Sequence, residues 1–154
     1  MRIIGIDLAV TAKHKAIILN ERSRFVSPVI SFETELTALD QLRDRALDGT
    51  EPDSELVVVM EATNIVWYPV AVYFVRHGDT VHVVNPRMSS SLGRFYKQHA
   101  SSDQLSAKVL ARLPFICPEI LYPLTLSGAD YLALQRGCRE LDRLTTQTSA
   151  IKNR

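Results

Sequence analysis

The hydrophobic periods of this 154-residue chain predict an α/β fold: a mixed sheet flanked by helices, with a helical, coiled-coil-like extension at the carboxyl end. Three observations carry that reading. Ile3 to Leu8 and Leu56 to Met60 are apolar over strand length, broken only by Gly5 and Asp7, as strands buried on both faces are. The stretches after Thr34 and after Thr63 switch to three- and four-residue spacing, the period of an amphipathic helix. From Ser127 a seam at alternating three- and four-residue steps begins.

In chain order, residues 2–8 and 14–19 read as two strands joined by a short turn. Arg24 to Phe32 is a third strand candidate, with Pro28 demanding an edge position or a bulge. Thr34 to Leu47 carries Leu36, Leu39 and Leu42 at helical spacing. Leu56 to Met60 is a buried strand. Thr63 to His77 is a helix (Val66, Trp67, Val70 and Phe74 on one side) stopped by Gly78, which Pro69 would kink unless it lies in the first turn. Thr80 to Asn85 is a further strand, closed by Pro86. The order β-β-β-α-β-α-β predicts a mixed sheet with helices on its faces.

Arg87 to Ser102 is polar and basic, a loop or weak helix. Ser101 with Gln104 fits a capping box opening a helix that ends at Leu113, before Pro114. The tail seam runs Tyr131, Leu134, Cys138, Leu141 and then turns polar at Thr145 and Thr148. The expected division is 1–113 for the sheet domain, 114–126 for a connector and 127–154 for the start of a long helix. With no Gly, Pro or cap before Arg154, a longer parent protein is expected.

With 46% hydrophobic residues the chain is long enough and apolar enough for one domain with a real core. Net charge is +1, yet its distribution is uneven. Eight acidic residues lie between Glu33 and Glu55, and five basic ones (Arg87, Arg94, Lys97, Lys108, Arg112) between Asn85 and Leu113. Cys117 and Cys138 sit in no CxxC or Cys/His cluster, which argues against zinc. No apolar run reaches membrane-spanning length and the amino terminus is a strand pattern, so a soluble, cytoplasmic chain without a membrane partner is expected.

Three carboxylates invite a chemical reading. Asp7 interrupts an apolar strand, where a buried charge is costly unless paired, hydrogen-bonded or metal-bound; the alternative is an Asp that starts a turn. Glu61 ends the strand 56–60, where ligand sites of open α/β sheets lie; the alternative is a cap for the following helix. Asp103 opens a helix flanked by basic residues, as ligand or as cap. Carboxylate oxygens from separate elements suit Mg²⁺, and Arg87, Arg94, Lys97, Lys108 and Arg112 could neutralise phosphates; the alternative is an ordinary solvated surface.

The motifs are more specific. Gly5-Ile6-Asp7, Glu61-Ala62-Thr63, Asn85-Pro86-Arg87, and Ser102-Asp103 followed by Ala107-Lys108-Val109-Leu110-Ala111 resemble the amino-terminal domain of the DEDD-type insertion-sequence transposases, the relatives of the Piv DNA invertase. The resemblance implies a RuvC-like ribonuclease H fold and a tetrad of metal-binding acids, matched here by Asp7, Glu61 and Asp103. The family's fourth acid falls on Ser106, a neutral and weaker ligand, and Asn64 stands where Gly usually follows Glu-Ala-Thr. It further implies Mg²⁺ (Mn²⁺ as a substitute), DNA as partner, a structured guide RNA as a further partner, and a carboxy-terminal domain that supplies a nucleophilic serine. No residue of that second domain is present, so Ser89, Ser90 and Ser91 are read as loop serines and this segment alone is expected not to recombine DNA. The helical tail itself predicts self-association; the alternative is a solvated helix exposed by truncation.

Two functions follow as expectations. The first is the metal-binding DEDD domain of a transposase or site-specific recombinase, working by Mg²⁺-dependent phosphoryl transfer. The second is a catalytically impaired nucleic-acid-binding and oligomerisation module, in which Ser106 marks lost catalysis. An actin-like or sugar-kinase ATPase ranks lower, because Ala9 stands where that class needs a glycine for phosphate approach. A Walker-type NTPase lacks its GxxxxGK[ST] motif here.

Overall fold

The computed structural model describes residues 1–62, 65–85 and 104–152. They form two units, Met1–Leu124 and Thr125–Arg154. The first is built on a five-stranded sheet of β1 (Arg2–Asp7), β2 (His14–Asn20), β3 (Ile30–Phe32), β4 (Leu56–Glu61) and β5 (Thr80–Val84), in the order β3-β2-β1-β4-β5. β2 runs antiparallel to β1 and β3, whereas β4 is parallel to both β1 and β5. Among the described residues, helices α1 (Leu36–Leu47), α2 (Trp67–Arg76) and α3 (Gln104–Ile116) belong to the same unit, with a 3₁₀ turn at Pro118–Ile120. This is the mixed sheet flanked by helices expected of a RuvC-like ribonuclease H fold.

β1 is central because its residues can be buried on both faces. Ile4 and Ile6 face a core that includes Leu39 and Leu42 of α1 and Val70 and Phe74 of α2. Ile3 faces the opposite core, built with Ile17, Leu19, Val57, Val59 and, from α3, Ala107, Leu110 and Ala111. Gly5 is what lets α3 in. A Cβ added there would overlap the Ala107 carbonyl oxygen and the Ala111 amide nitrogen and stand 2.7 Å from Ala111 Cβ. The helix backbone thus rests directly on the strand, and small residues are required on both sides of the contact.

Polar ties hold α1 to the α2–β5 corner. Arg43 donates from Nε and Nη2 to both carboxylate oxygens of Asp79, at 2.8 and 3.1 Å. The Tyr73 hydroxyl donates to Asp40 at 2.5 Å, and burial followed by that bond raises the Tyr73 pKa. Gly78, at φ +82°, turns the chain from α2 into β5. The outer edge of β5 is closed by the chain returning after α3, where the Leu124 amide donates to the Val81 carbonyl at 2.7 Å.

His14 secures the β1–β2 hairpin. Its Nδ1 accepts the Ala9 amide at 3.1 Å, so the ring proton sits on Nε2, which donates to Thr34 Oγ1 at 2.6 Å. The ring also meets Phe32 edge-on. Burial lowers its pKa below the usual histidine value, partly opposed by Glu33.

Several sequence expectations change in detail. The third strand shrinks to Ile30–Phe32: Pro28 has no amide to donate, so residues 25–27 touch β2 only through a bridge at Phe25 and through the Ser27 hydroxyl, which accepts the Ile18 amide. Leu36, counted in the apolar stripe, is 72% exposed at the first turn of α1. α2 starts at Trp67, which places Pro69 in its first turn. α3 does not stop at Leu113. It carries Pro114 and reaches Ile116, because a proline near a helix exit forfeits one donor while the Cys117 amide still closes the turn on the Leu113 carbonyl. The proposed capping box at Ser101 lies outside the described residues.

The second unit is the helix α4 (Ala129–Lys152). Residues 137–149 are exposed, and the Thr145 and Thr148 hydroxyls donate to carbonyls four residues back, at Leu141 and Leu144. No helix among the described residues is long and apolar enough to cross a membrane.

Two stability measurements check this account. Gly5→Ala forces backbone apart and is expected to cost about 3 kcal/mol or more in urea unfolding, beyond ordinary core overpacking. For His14, the folded-state pKa lies below the unfolded value near 6.5, so its stabilisation is full above that value and declines as pH falls toward the folded pKa. His14→Gln is expected to remove that slope and to cost about 1–2 kcal/mol at pH 8, read from denaturation midpoints across pH.

Candidate functional site

The carboxyl ends of β1 and β4 lie side by side because these strands are parallel neighbours. Asp7 and Glu61 fall one step past Ile6 and Met60, the last paired residues. Strand alternation puts both on the α3 side of the sheet, Asp7 above Gly5 and Ile3, Glu61 above Val59 and Val57. Both are half-buried. Strands about 4.8 Å apart hold the two carboxylates within one another's field, an arrangement favoured by a cation shared between them.

The row continues on the other side. Lys15 of β2 is the cross-strand partner of Asp7, and Val84 of β5 is the partner of Glu61. Across the sheet the order is therefore Lys15, Asp7, Glu61, Val84. Asp7, Lys15, Glu61 and Asn85 are each engaged by a neighbouring group.

The alternatives left open by the sequence narrow here. Glu61 is the last residue of β4, and α2 begins at Trp67 with Val66 at its N-cap, so Glu61 does not cap that helix. Asp7 is a paired strand residue, with the turn beginning after it. Ser106 is exposed. It lies one turn before Leu110 on the helix stripe that buries Leu110 and Leu113, so the stripe leaves the core at Ser106. Asp103, Arg87, Arg94 and Lys97 lie outside the described residues.

Lys108 and Arg112 are one turn apart on α3 and half-buried. Both reach the ring of Phe25, the Lys108 ammonium 5.9 Å and the Arg112 guanidinium 4.9 Å from its centroid. They are cations held at an aromatic face that is itself 39% exposed, rather than an unstructured solvated run. Sequence reasoning missed both Phe25 and Lys15. The signal for Lys15 was present: a hairpin from 2–8 to 14–19 sets some residue of its second strand opposite Asp7. Phe25 had no such signal, because its place depends on how the chain before Pro28 runs along β2.

Among the described residues no group of three or more His, Cys, Asp or Glu side chains could hold a metal ion. Asp7 and Glu61 supply two carboxylates, with neither thiol nor imidazole in their row. That donor set fits a hard divalent cation such as Mg²⁺ and does not fit a zinc centre. Cys117 and Cys138 are both free thiols. An open depression of about 520 Å³ lies at the hairpin tip, lined by Ala9 to His14, Glu33, Thr34 and Val66, but neither Asp7 nor Glu61 lines it.

Comparison with known proteins returns a family. No curated protein matches the chain. Among solved structures, Thermus thermophilus RuvC in complex with a Holliday junction substrate is 16% identical, with a TM-score of 0.47 over 80% of this chain and 99% of that one. A second Thermus thermophilus RuvC structure is 15% identical, with a TM-score of 0.44 over 80% of this chain and 100% of that one. The family model of the IS110-type DEDD transposases, described as "Transposase", matches residues 4–154, nearly the whole length. The chain belongs to the IS110-type DEDD transposase family.

Proposed function

We propose that this chain is the metal-binding domain of a transposase that acts on DNA by phosphoryl transfer. The observation that supports it best is the side-by-side placement of Asp7 and Glu61 at the carboxyl ends of adjoining parallel strands. These two residues, with Asp103 as the third acid of the motif, are the ones that would hold Mg²⁺, or Mn²⁺ in its place. When bound there, the ion supplies charge neutralisation and Lewis acidity at a phosphodiester.

The rest is the work of the chain itself. Lys108 and Arg112 bind the DNA backbone, with Arg87, Arg94 and Lys97 as further cations of the same basic segment. Phe25 keeps the two helix cations together by offering them one aromatic face. A structured guide RNA and self-association through α4 belong to the same proposal; the exposed Leu141 and Leu144 support the second. The nucleophilic serine of the reaction comes from a further domain.

One observation favours a second reading. Ser106 is a neutral, exposed hydroxyl where the family pattern has an acid, as in a nucleic-acid-binding and assembly module that no longer cuts. In a protein joined to its serine-bearing domain, Ser106→Asp separates the two. A gain in Mn²⁺ affinity and recombination supports the enzyme, and no gain supports the module.

Two measurements on the present chain test the proposal. Calorimetric titration with Mn²⁺ is expected to show binding that Asp7→Asn and Glu61→Gln each weaken by about tenfold or more, without loss of fold by circular dichroism. Reversing charge at both Lys108 and Arg112 is expected to weaken binding to duplex DNA of any sequence and to reduce the salt slope by about 1.8. An unchanged slope would remove those two residues from the interface.

A further inference from the structure

Lys15 has no part in the motif, yet the sheet register gives it the position next to Asp7. The antiparallel pairing of β1 and β2 makes Asp7 and Lys15 direct partners, and directly opposed residues share a face. Farther down the same two strands, Gly5 faces Ile17 and Ile3 faces Leu19; Ile3, Ile17 and Leu19 belong to the core under α3. Lys15 therefore stands on the α3 side with Asp7 and Glu61, at one end of the row, and is half-buried.

Charge decides what this means. Asp7, Glu61 and Asp103 bring three negative charges to the motif, and Ser106 brings none. Lys15 adds one positive charge beside Asp7. The sum is two negative units, the complement of one divalent ion. A second ion held against that balance has too few carboxylates to offset its dehydration.

We propose that Lys15 is a charge-balancing residue that takes the place of a second metal ion, so that the site binds one divalent cation per chain. This rests on the reading of Asp7 and Glu61 as metal ligands. The ammonium neutralises Asp7 from the β2 side, which would leave Asp7 and Glu61 to hold one cation between them.

The test is Mn²⁺ titration by calorimetry, with stoichiometry and affinity read separately, on the whole chain and on Lys15→Gln, Lys15→Arg, Ser106→Asp and the Lys15→Gln/Ser106→Asp double variant. Thermal melts confirm that each is folded. The wild type is expected to take one ion. Lys15→Gln is expected to bind it about tenfold more tightly, because one like charge is removed at close range. Lys15→Arg keeps the charge and is expected to match the wild type. Only the double variant is expected to take two ions. If Ser106→Asp alone takes two, or if Lys15→Gln binds one ion no more tightly than the wild type, Lys15 does not balance the site and the proposal is overturned. A wild type that binds no Mn²⁺, with Asp7→Asn indistinguishable from it, overturns the metal reading itself and this proposal with it.

Discussion

Everything in the first unit depends on one contact without an intervening side chain, the backbone of α3 lying on Gly5 of β1. It fixes how closely the helix approaches the sheet, and so how Ala107, Leu110 and Ala111 meet Ile3, Val57 and Val59. A larger residue at Gly5, Ala107 or Ala111 would lift the helix and open the apolar layer to water. The same contact places the first turn of α3, and with it Ser106, relative to the strand that ends in Asp7. Stability and site geometry are thus set by one close approach.

The sheet supplies the second half of the geometry. Parallel pairing of β1 with β4 aligns Asp7 with Glu61, and antiparallel pairing of β1 with β2 aligns Asp7 with Lys15. Register on a strand this apolar is strongly specified, since a one-residue slip would drive Ile4 and Ile6 to the wrong core and carry Asp7 to the α1 and α2 side. The hydrophobic pattern therefore positions the charged groups, and the His14 bonds to Ala9 and Thr34 close the hairpin that joins the two halves of the row.

Much of this was legible in the residues. The runs at 3–8 and 56–60 announce central strands because burial on both faces leaves no polar alternation, and the Glu-Ala-Thr and Asn-Pro-Arg motifs mark the family. Boundaries were less legible where one residue acts against its neighbours: Pro28 divides a strand that its flanking residues would otherwise continue, while Pro114 fails to end a helix whose exit turn is closed by Cys117 and Leu113. The candidate site was read from its acids, which motifs reveal. Its cation and its aromatic were not, because Lys15 and Phe25 gain meaning only from cross-strand register and from packing on α3.

If Asp7 and Glu61 converge on one divalent ion at the α3 side of the sheet edge, anomalous scattering from a crystal soaked in Mn²⁺ will reveal it. A single peak is expected within bonding distance of a carboxylate oxygen from each residue, about 2.0–2.6 Å, with Lys15 on the far side of Asp7. Absence of a peak between the two carboxylates at saturating Mn²⁺, with both side chains ordered, would rule the shared site out.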